Sequence, residues 1–221
     1  MRVNVLGEVA ATDHVGNRVE LRGDTSLRIL AHLAAVHPGS ADAEVLIESG
    51  WPGVHLEAPR PSLRMTISRL RRSLSPDPNL TSIHNDATGY RLDERVRVDA
   101  RTFDTELDLC RQAADDEEVA DRLAAALELW RGEPYGGLDG SLFEAERQRL
   151  TRLRVEAIER RQGALIRLGR AADGLDQLER ACAAHPLHEG LVGLLMHSLH
   201  AAGEQAGALS VYETTRRRLL D

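Results

Sequence analysis

Lysine is absent from this chain of 221 residues, in which all 28 basic side chains are arginine. Without lysine there is no P-loop lysine, no Schiff-base lysine and no nucleophile system of the SxxK type. The two cysteines, Cys110 and Cys182, form no CxxC pair and are too few for a disulfide framework. We therefore expect reduced thiols that act as packing residues, and none of the chemistry that these motifs support.

Long apolar runs are also missing, and aromatic residues make up only 3% of the sequence. No run approaches the roughly 18 apolar residues of a membrane span. The opening MRVNVLGEVAATDHV lacks the basic-then-apolar order of a signal peptide. Hydrophobic residues nevertheless amount to 42%, enough for one large core or two ordinary ones. We expect a cytoplasmic protein without a membrane partner.

Charge is distributed unevenly along the chain, whose net charge is −7. Residues 1–98 carry 12 arginines and 12 acidic residues, whereas residues 99–221 carry 16 arginines and 23 acidic residues. The neutral half concentrates its arginines at 60–72 and 91–97, and the charge of a docking face matters more than the total. The change in composition after Val98 predicts a domain boundary there, giving domains 1–98 and 99–221.

The most basic stretch is Pro59–Leu74, with five arginines and no acidic residue between Arg60 and Arg72. Four apolar residues recur at helical spacing and form one stripe: Leu63, Ile67, Leu70 and Leu74. Five side chains point away from this stripe: Arg64, Met65, Ser68, Arg69 and Arg72. Arg60 and Arg71 flank it. A helix of about 21 Å fits the major groove of B-DNA. The pattern predicts a recognition helix; the alternative is a merely basic surface helix.

Short β-like runs and two further helices precede the basic helix. The β-like residues are Val3, Val5 and Val9, then Val19 and Leu21. Thr25 or Ser26 can cap the first helix, which ends near His37, and Ser40 can cap the second, which ends at Gly50.

A hairpin follows the basic helix, with predicted strands Leu80–His84 and Tyr90–Leu92 joined by a turn-forming loop at 85–89. Strands, three helices and a hairpin in this order predict a winged helix with an N-terminal sheet. Its second and third helices form the helix-turn-helix and its hairpin forms the wing.

The second half consists of long helical stretches separated by short Gly or His-Pro breaks. An internal repeat occurs at an offset of 34 residues, the tetratricopeptide period. Its matched residues are Leu165, Gly169, Ala172, Leu175 and Glu179, recurring as Leu199, Gly203, Ala206, Leu209 and Glu213. The segment Leu127–Leu142 does not fit this spacing and is interpreted as an insertion. Residues 99–221 are expected to fold as one helical unit, and the whole chain to be mainly α.

Several segments together resemble the Streptomyces antibiotic regulatory protein family of bacterial transcriptional activators. In chain order they are MRVNVLGEV, SGWPG, SLRMTISRLRRSL, TGYRL, VDARTFD, ALELWRGEPYGGL, ERQRLTRLRVEAIERR and HPLHEGLVGLLMHSLHAAGEQAGALSVYETTRRRL. The resemblance implies an OmpR-type winged-helix DNA-binding domain followed by a tetratricopeptide-like bacterial transcriptional activation domain. It also implies a homodimer on promoter direct repeats, activation of an antibiotic gene cluster, and contacts with the sigma factor and alpha subunit of RNA polymerase holoenzyme.

Two departures from the family pattern affect these expectations. Gly23-Asp24-Thr25 stands where relatives carry Lys or Arg before the first helix, so one phosphate contact is expected to be weaker. The family pattern also continues past Asp221, so a longer natural chain is expected. The alternative function is a tetratricopeptide interaction or ligand-sensing module whose winged helix does not bind DNA.

The direction of each side chain on the basic helix assigns its expected partner on double-stranded DNA. Base contacts are expected from Arg64, Ser68, Arg69 and Arg72. Phosphate contacts are expected from Arg60, Ser62, Thr66, Arg71 and Arg91. The wing residues are expected to be Asn85, Thr88, Gly89 and Tyr90. A protein with these contacts would be associated with the nucleoid.

Other candidate sites have simpler explanations. His185, His188, His197 and His200 include two HxxH pairs, but a structural or capping role is favoured over metal binding. The acidic run 115–118 flanks a helix start, where it complements the helix dipole. No Ser/His/Asp order, Gly-rich phosphate loop or HExxH motif is present. We therefore expect no enzyme activity, no catalytic residue, no metal site and no cofactor.

Overall fold

The structure, a computed structural model, describes residues 1–74, 81–87 and 89–220. Over these residues the strands are β1 (Arg2–Asn4), β2 (Ala10–Thr12), β3 (Arg18–Val19), β4 (Ala41–Asp42), β5 (Ile83–Asn85), β6 (Gly89–Leu92) and β7 (Arg97–Val98). The helices are α1 (Asp24–Val36), α2 (Ala43–Gly50), α3 (Pro59–Leu74), α4 (Asp99–Gln112), α5 (Asp116–Leu127), α6 (Ser141–Arg167), α7 (Leu175–Ala184), α8 (Glu189–Ala201) and α9 (Gln205–Leu220). The predicted mainly α class is confirmed.

Two compact units make up the chain, and their boundary differs from the predicted division after Val98. The first unit contains Met1–Thr102 and also Leu129–Leu150, and the rest of the described chain forms the second. Residues 99–221 therefore do not pack as one unit, because a segment of about twenty residues from the middle of the chain belongs to the first. The helix α6 begins in one unit and ends in the other.

Two small sheets and three helices form the first unit. The larger sheet has the order β3-β2-β1-β7, in which β1 and β7 are parallel, and the smaller has the order β4-β6-β5. Helices α1, α2 and α3 pack on one another. Their inward side chains are fully or almost fully buried: Ile29, Leu30, Leu33, Leu46, Leu63, Ile67 and Leu70. This is the predicted order of strands, three helices and hairpin.

The starts of the first two helices differ from the predicted caps. The residue before α1 is Gly23, and no side chain caps this helix. Asp42 caps α2, because its carboxylate accepts a hydrogen bond from the Glu44 amide at 2.9 Å. Ser40 cannot take this place, because Ala41 and Asp42 already pair with β6 as strand β4.

The segment Leu129–Leu150 is bound to the first unit through backbone and side-chain contacts. The amides of Arg131 and Tyr135 donate to the carbonyls of Leu6 and Val5 at 2.7 and 2.8 Å. Tyr135 is 1% exposed and stacks on Phe143, with 5.5 Å between ring centroids. The predicted insertion therefore completes the core of the N-terminal unit.

Asp99 joins this segment to the start of the chain. Its buried carboxylate accepts the amides of Val5 and Leu6 at 2.8 and 3.2 Å and forms an ion pair with Arg131. Burial raises the pKa of the Asp99 carboxyl, while the two amides and Arg131 act in the opposite direction. One side chain thus fixes three separate parts of the sequence.

The second unit repeats one helix-turn-helix geometry at the predicted offset. Gly169 and Gly203 adopt positive φ angles of 72° and 83° at the two turns. The amide of the residue after each glycine donates a hydrogen bond to the carbonyl five residues earlier. These bonds run from Arg170 to Leu165 and from Glu204 to Leu199, both at 2.8 Å. Both leucines are buried. The repeat seen in the sequence is therefore confirmed at the turns.

One residue of the acidic run and one histidine act as helix caps. Asp115 accepts the Glu117 amide at 3.0 Å before α5. The next acidic residue, Asp116, forms an ion pair with Arg167. His188 caps α8, because its ring accepts the Leu191 amide. Over the described residues, no helix is long and apolar enough to span a bilayer.

Candidate nucleic-acid interface

The helix α3 presents one buried and one exposed face. Leu63, Ile67 and Leu70 are each 1% exposed, which confirms the predicted apolar stripe. The four side chains predicted to contact bases are all exposed: Arg64, Ser68, Arg69 and Arg72. Pro59 and Pro61 lie in the first turn, where a missing amide costs no hydrogen bond. We call this exposed face, together with Met65, the groove face.

Three arginines of the groove face have no carboxylate partner among the residues that the structure describes. Within the described part of the chain, Arg64, Arg69 and Arg72 form no ion pair. Arg69 lies along the helix, with its Nη2 atom 3.4 Å from the sulfur of Met65. Because three such side chains share one exposed face, this face is a local centre of positive charge over the described residues.

The side chains on the flanks of α3 differ in their burial and in the partners that they already have. Arg60 is exposed but lies 2.8 Å from the Glu44 carboxylate. The hydroxyl of Ser62 donates to the Ala58 carbonyl. Thr66 is only 7% exposed, and its hydroxyl donates to the Ser62 carbonyl at 3.1 Å. The expected phosphate contact of Thr66 is therefore withdrawn, because the hydroxyl is buried and already bonded.

Arg71 joins the helix α3 to the wing. Its Nε atom donates to the Ile83 carbonyl and its Nη2 atom donates to the Asn85 side-chain oxygen, both at 2.8 Å. The half-buried guanidinium thus holds the first strand of the hairpin at a fixed position relative to the helix. Sequence reasoning assigned Arg71 to phosphate alone, because no local pattern indicates which strand packs beside it.

The wing is the hairpin of β5 and β6, extended by β4. Asn85 pairs with Tyr90, and Tyr90 also pairs with Ala41. Gly89 is buried, and a Cβ atom there would lie 1.9 Å from the Ala41 carbonyl oxygen. Gly89 lies in the wing hairpin as predicted, and the close approach of β4 requires a glycine there. The remaining wing residue of the prediction, Thr88, lies outside the described residues.

Carboxylates offset the charge of Arg91 on the wing and of Arg95, which follows it in the chain. Arg91 lies 3.8 Å from Glu94, and Arg95 lies 2.7 Å from Asp93. The hydrogen bond from Arg95 holds the pKa of Asp93 well below its usual range, and His84 contacts the same carboxylate at 2.6 Å. Positive charge on this unit is therefore concentrated on α3 rather than on the wing.

Clusters for other chemistry are missing from the described residues. No group of three or more His, Cys, Asp or Glu side chains there is close enough to hold a metal ion. Burial raises the pKa of the Cys110 and Cys182 thiols, which disfavours the reactive thiolate.

The family model described as the bacterial transcriptional activator domain matches residues 98–221. The regulatory protein AfsR of Streptomyces coelicolor is 33% identical over the whole chain, and the match covers 22% of AfsR. The regulatory protein DnrI of Streptomyces peucetius is 26% identical, and the match covers 85% of its length. The chain thus spans about a fifth of AfsR and most of DnrI.

A solved structure has the same fold. It is Mycobacterium tuberculosis EmbR in complex with a low affinity phosphopeptide, which is 25% identical and superposes with a TM-score of 0.87. The match covers 99% of this chain and 59% of EmbR. The family model, the relatives and the fold agree: the chain belongs to the Streptomyces antibiotic regulatory protein family of transcriptional activators, and its second half is a bacterial transcriptional activator domain.

Proposed function

We propose that this chain binds promoter DNA in a sequence-specific manner through the groove face of α3. The observation that carries the proposal is the set of three exposed arginines without a carboxylate partner in the described residues. A helix of this diameter enters the major groove, where arginine binds the O6 and N7 atoms of guanine bidentately. The wing around Asn85 then lies beside the adjacent minor groove.

The proposed contacts divide into those that specify the site and those that position the protein. Base contacts come from Arg64, Ser68, Arg69 and Arg72. Phosphate contacts come from Arg60, Ser62, Arg71 and Arg91, of which Arg60 and Arg91 must first exchange a carboxylate for a phosphate. This exchange is favoured on DNA, because each arginine that neutralises a phosphate releases a condensed counterion.

Family membership and the limited contact surface of one short helix support a proposal for the assembly on the promoter. A single helix in one groove gives limited affinity, so two copies on direct repeats are proposed to bind as a homodimer. The functional division is proposed at Val98, with the second half contributing protomer contacts. This half also offers a surface to the sigma factor and alpha subunit of RNA polymerase. The target is proposed to be an antibiotic biosynthetic gene cluster, and the protein to be cytoplasmic and nucleoid-associated.

Salt dependence tests DNA binding. If about five phosphates are neutralised per protomer, log K falls against log[salt] with a slope of about −4 to −5. Replacing both Arg60 and Arg91 by Ala is expected to reduce this slope by about two. The double change of Arg216 and Arg217 on α9 removes the same charge from exposed positions elsewhere and is expected to leave the slope unchanged. A salt-independent complex would refute the proposal and favour the interaction module.

Half-site spacing tests the arrangement of the two copies. Direct repeats about one helical turn apart place both α3 helices on the same side of the duplex. Inserting half a turn between the half-sites is expected to abolish cooperative binding in a gel-shift titration, and a full turn to restore part of it. Equal cooperativity at all three spacings would contradict the homodimer.

A further inference from the structure

Met65 is the large apolar side chain that α3 leaves exposed. Its exposed fraction is 54%, against 1% for Leu63 and Ile67 on either side of it in sequence. At about 100° per residue, Met65 lies about 200° around the helix from Leu63. It therefore stands at the centre of the groove face, almost opposite the buried stripe.

The neighbours of Met65 on this face are polar or charged. Arg64 precedes it, Ser68 and Arg69 lie one turn later, and the Arg69 Nη2 atom is 3.4 Å from the Met65 sulfur. A single exposed apolar residue on an ordinary surface needs no explanation. Here, however, the residue lies almost opposite the buried stripe, on the face already proposed to enter the groove.

The major groove offers one apolar group to such a side chain. Thymine displays its C5 methyl there, whereas the other base edges display hydrogen-bond donors and acceptors. Methionine is unbranched and polarizable, so it adapts to an apolar group whose position is set by neighbouring contacts.

We propose that Met65 contacts the C5 methyl group of a pyrimidine in the operator, which is thymine or 5-methylcytosine. This inference rests on the proposed function, because it requires α3 in the major groove. The proximity of Met65 and Arg69 adds a feature of the site: the 5-methylpyrimidine lies next to a guanine that Arg69 contacts. Cytosine methylation at this base then creates a contact that unmodified cytosine lacks.

Uracil substitution tests the contact. Uracil pairs as thymine does and lacks only the methyl group, so each thymine of the operator is replaced singly and binding is measured by competition titration. At the contacted base the change is expected to weaken wild-type binding on the order of fourfold, the value of one buried methyl. The Met65→Ala and Met65→Gln variants are expected to bind the thymine and uracil operators equally.

A matched variant and a second probe complete the test. Leu209→Ala removes an apolar side chain that is 64% exposed on α9, and it is expected to keep the wild-type response to uracil. If the base pair is changed to C·G, methylating that cytosine is expected to strengthen binding of the wild type and not of Met65→Ala.

The outcomes separate the inference from the function on which it rests. Specific operator binding with no thymine at which uracil weakens the wild type overturns the inference alone. The same conclusion follows if Met65→Ala keeps the full response at every thymine. Failure of the wild type to prefer the operator over scrambled DNA overturns the proposed function, and the inference with it.

Discussion

Individual arginines of α3 have different roles because their surroundings differ. Arg69 and Arg72 are exposed, and their hydrogen bonds to described residues stay within their own helix, at Met65 and Ser68. Arg71 instead bonds to two residues of the first wing strand. The first two can therefore exchange their contacts for base edges without cost to the fold, whereas Arg71 cannot.

Replacing Arg69 or Arg72 by Ala is expected to relax sequence preference while retaining much of the non-specific affinity. Each lost bidentate guanine contact corresponds to roughly 1–3 kcal/mol of discrimination. Competition titrations with specific and scrambled DNA measure both quantities. Arg71→Ala and Arg91→Ala are expected to weaken all sequences about equally.

The variant Arg71→Lys separates the two roles of this residue. Lysine keeps the charge but cannot reproduce the two bonds of the guanidinium to the wing. Recovery of affinity in this variant would assign Arg71 to phosphate alone, and no recovery would assign it to positioning the wing. If Arg71→Ala alters site preference and Arg72→Ala does not, the assignment of the two faces is wrong.

At this scale, periodicity predicted which side chains of α3 are exposed, because the stripe of leucine and isoleucine determines the helix phase. It did not predict the roles of Thr66, Arg71 or Gly89. Their surroundings depend on the bond to Ser62, the packing of β5 and the approach of β4, respectively. The bond of Thr66 lies within α3, whereas the contacts of Arg71 and Gly89 involve distant elements, which leave no local pattern in the sequence.

At the scale of elements, the two repeat turns depend on backbone conformation. Gly203 has a φ angle of 83°, and a Cβ atom built there would meet nothing within 4 Å. The conformation alone therefore disfavours other residues at this turn. Gly193, within α8, also has open space around it but has no such φ angle.

Gly203→Ala is expected to lower the free energy of unfolding by about 1 kcal/mol, because alanine is strained at positive φ. Gly193→Ala is expected to raise it by about 0.5–1 kcal/mol, because alanine is the better helix former. Urea unfolding followed by circular dichroism measures both. Equal effects of the same sign at the two positions would contradict the conformational explanation.

Elements were predicted better than their ends. The predicted helix of the basic stretch is observed, with the bounds Pro59–Leu74, and the offset of 34 residues located both glycine turns. The cap of α2 was missed because Ser40 and Asp42 are equally good caps in isolation. Only the pairing of Ala41 and Asp42 with β6 decides between them.

At the scale of the molecule, the N-terminal unit is built from two separate parts of the chain. Tyr135 and Phe143 are each 1% exposed in its core, although they follow the predicted boundary by more than thirty residues. The failure of Leu127–Leu142 to fit the repeat identified the segment. The unit in which this segment packs could not be predicted, because its hydrogen bonds to Val5 and Leu6 join residues far apart in sequence.

Tyr135→Ala is therefore expected to destabilise the N-terminal unit by about 3 kcal/mol or more, the usual effect of removing a buried aromatic ring. Tyr212→Ala, at a side chain 50% exposed on α9, is expected to change stability by less than about 0.5 kcal/mol. Hydrogen exchange locates the effect, since amides of β1 and α1 should exchange faster in the first variant. Faster exchange confined to α7 and α8 would contradict the assignment.

The discontinuous N-terminal unit has a consequence for synthesis of the chain. Domains usually fold in the order in which they leave the ribosome. This unit, however, is incomplete until residue 150 has emerged, well after α4 and α5. We therefore expect the unit that carries the proposed DNA-binding face to be incomplete in a nascent chain that ends before α6. By the same reasoning, a chimera that joins residues 1–98 to the second half of a relative needs a segment there that can replace Leu129–Leu150 in the core of the N-terminal unit.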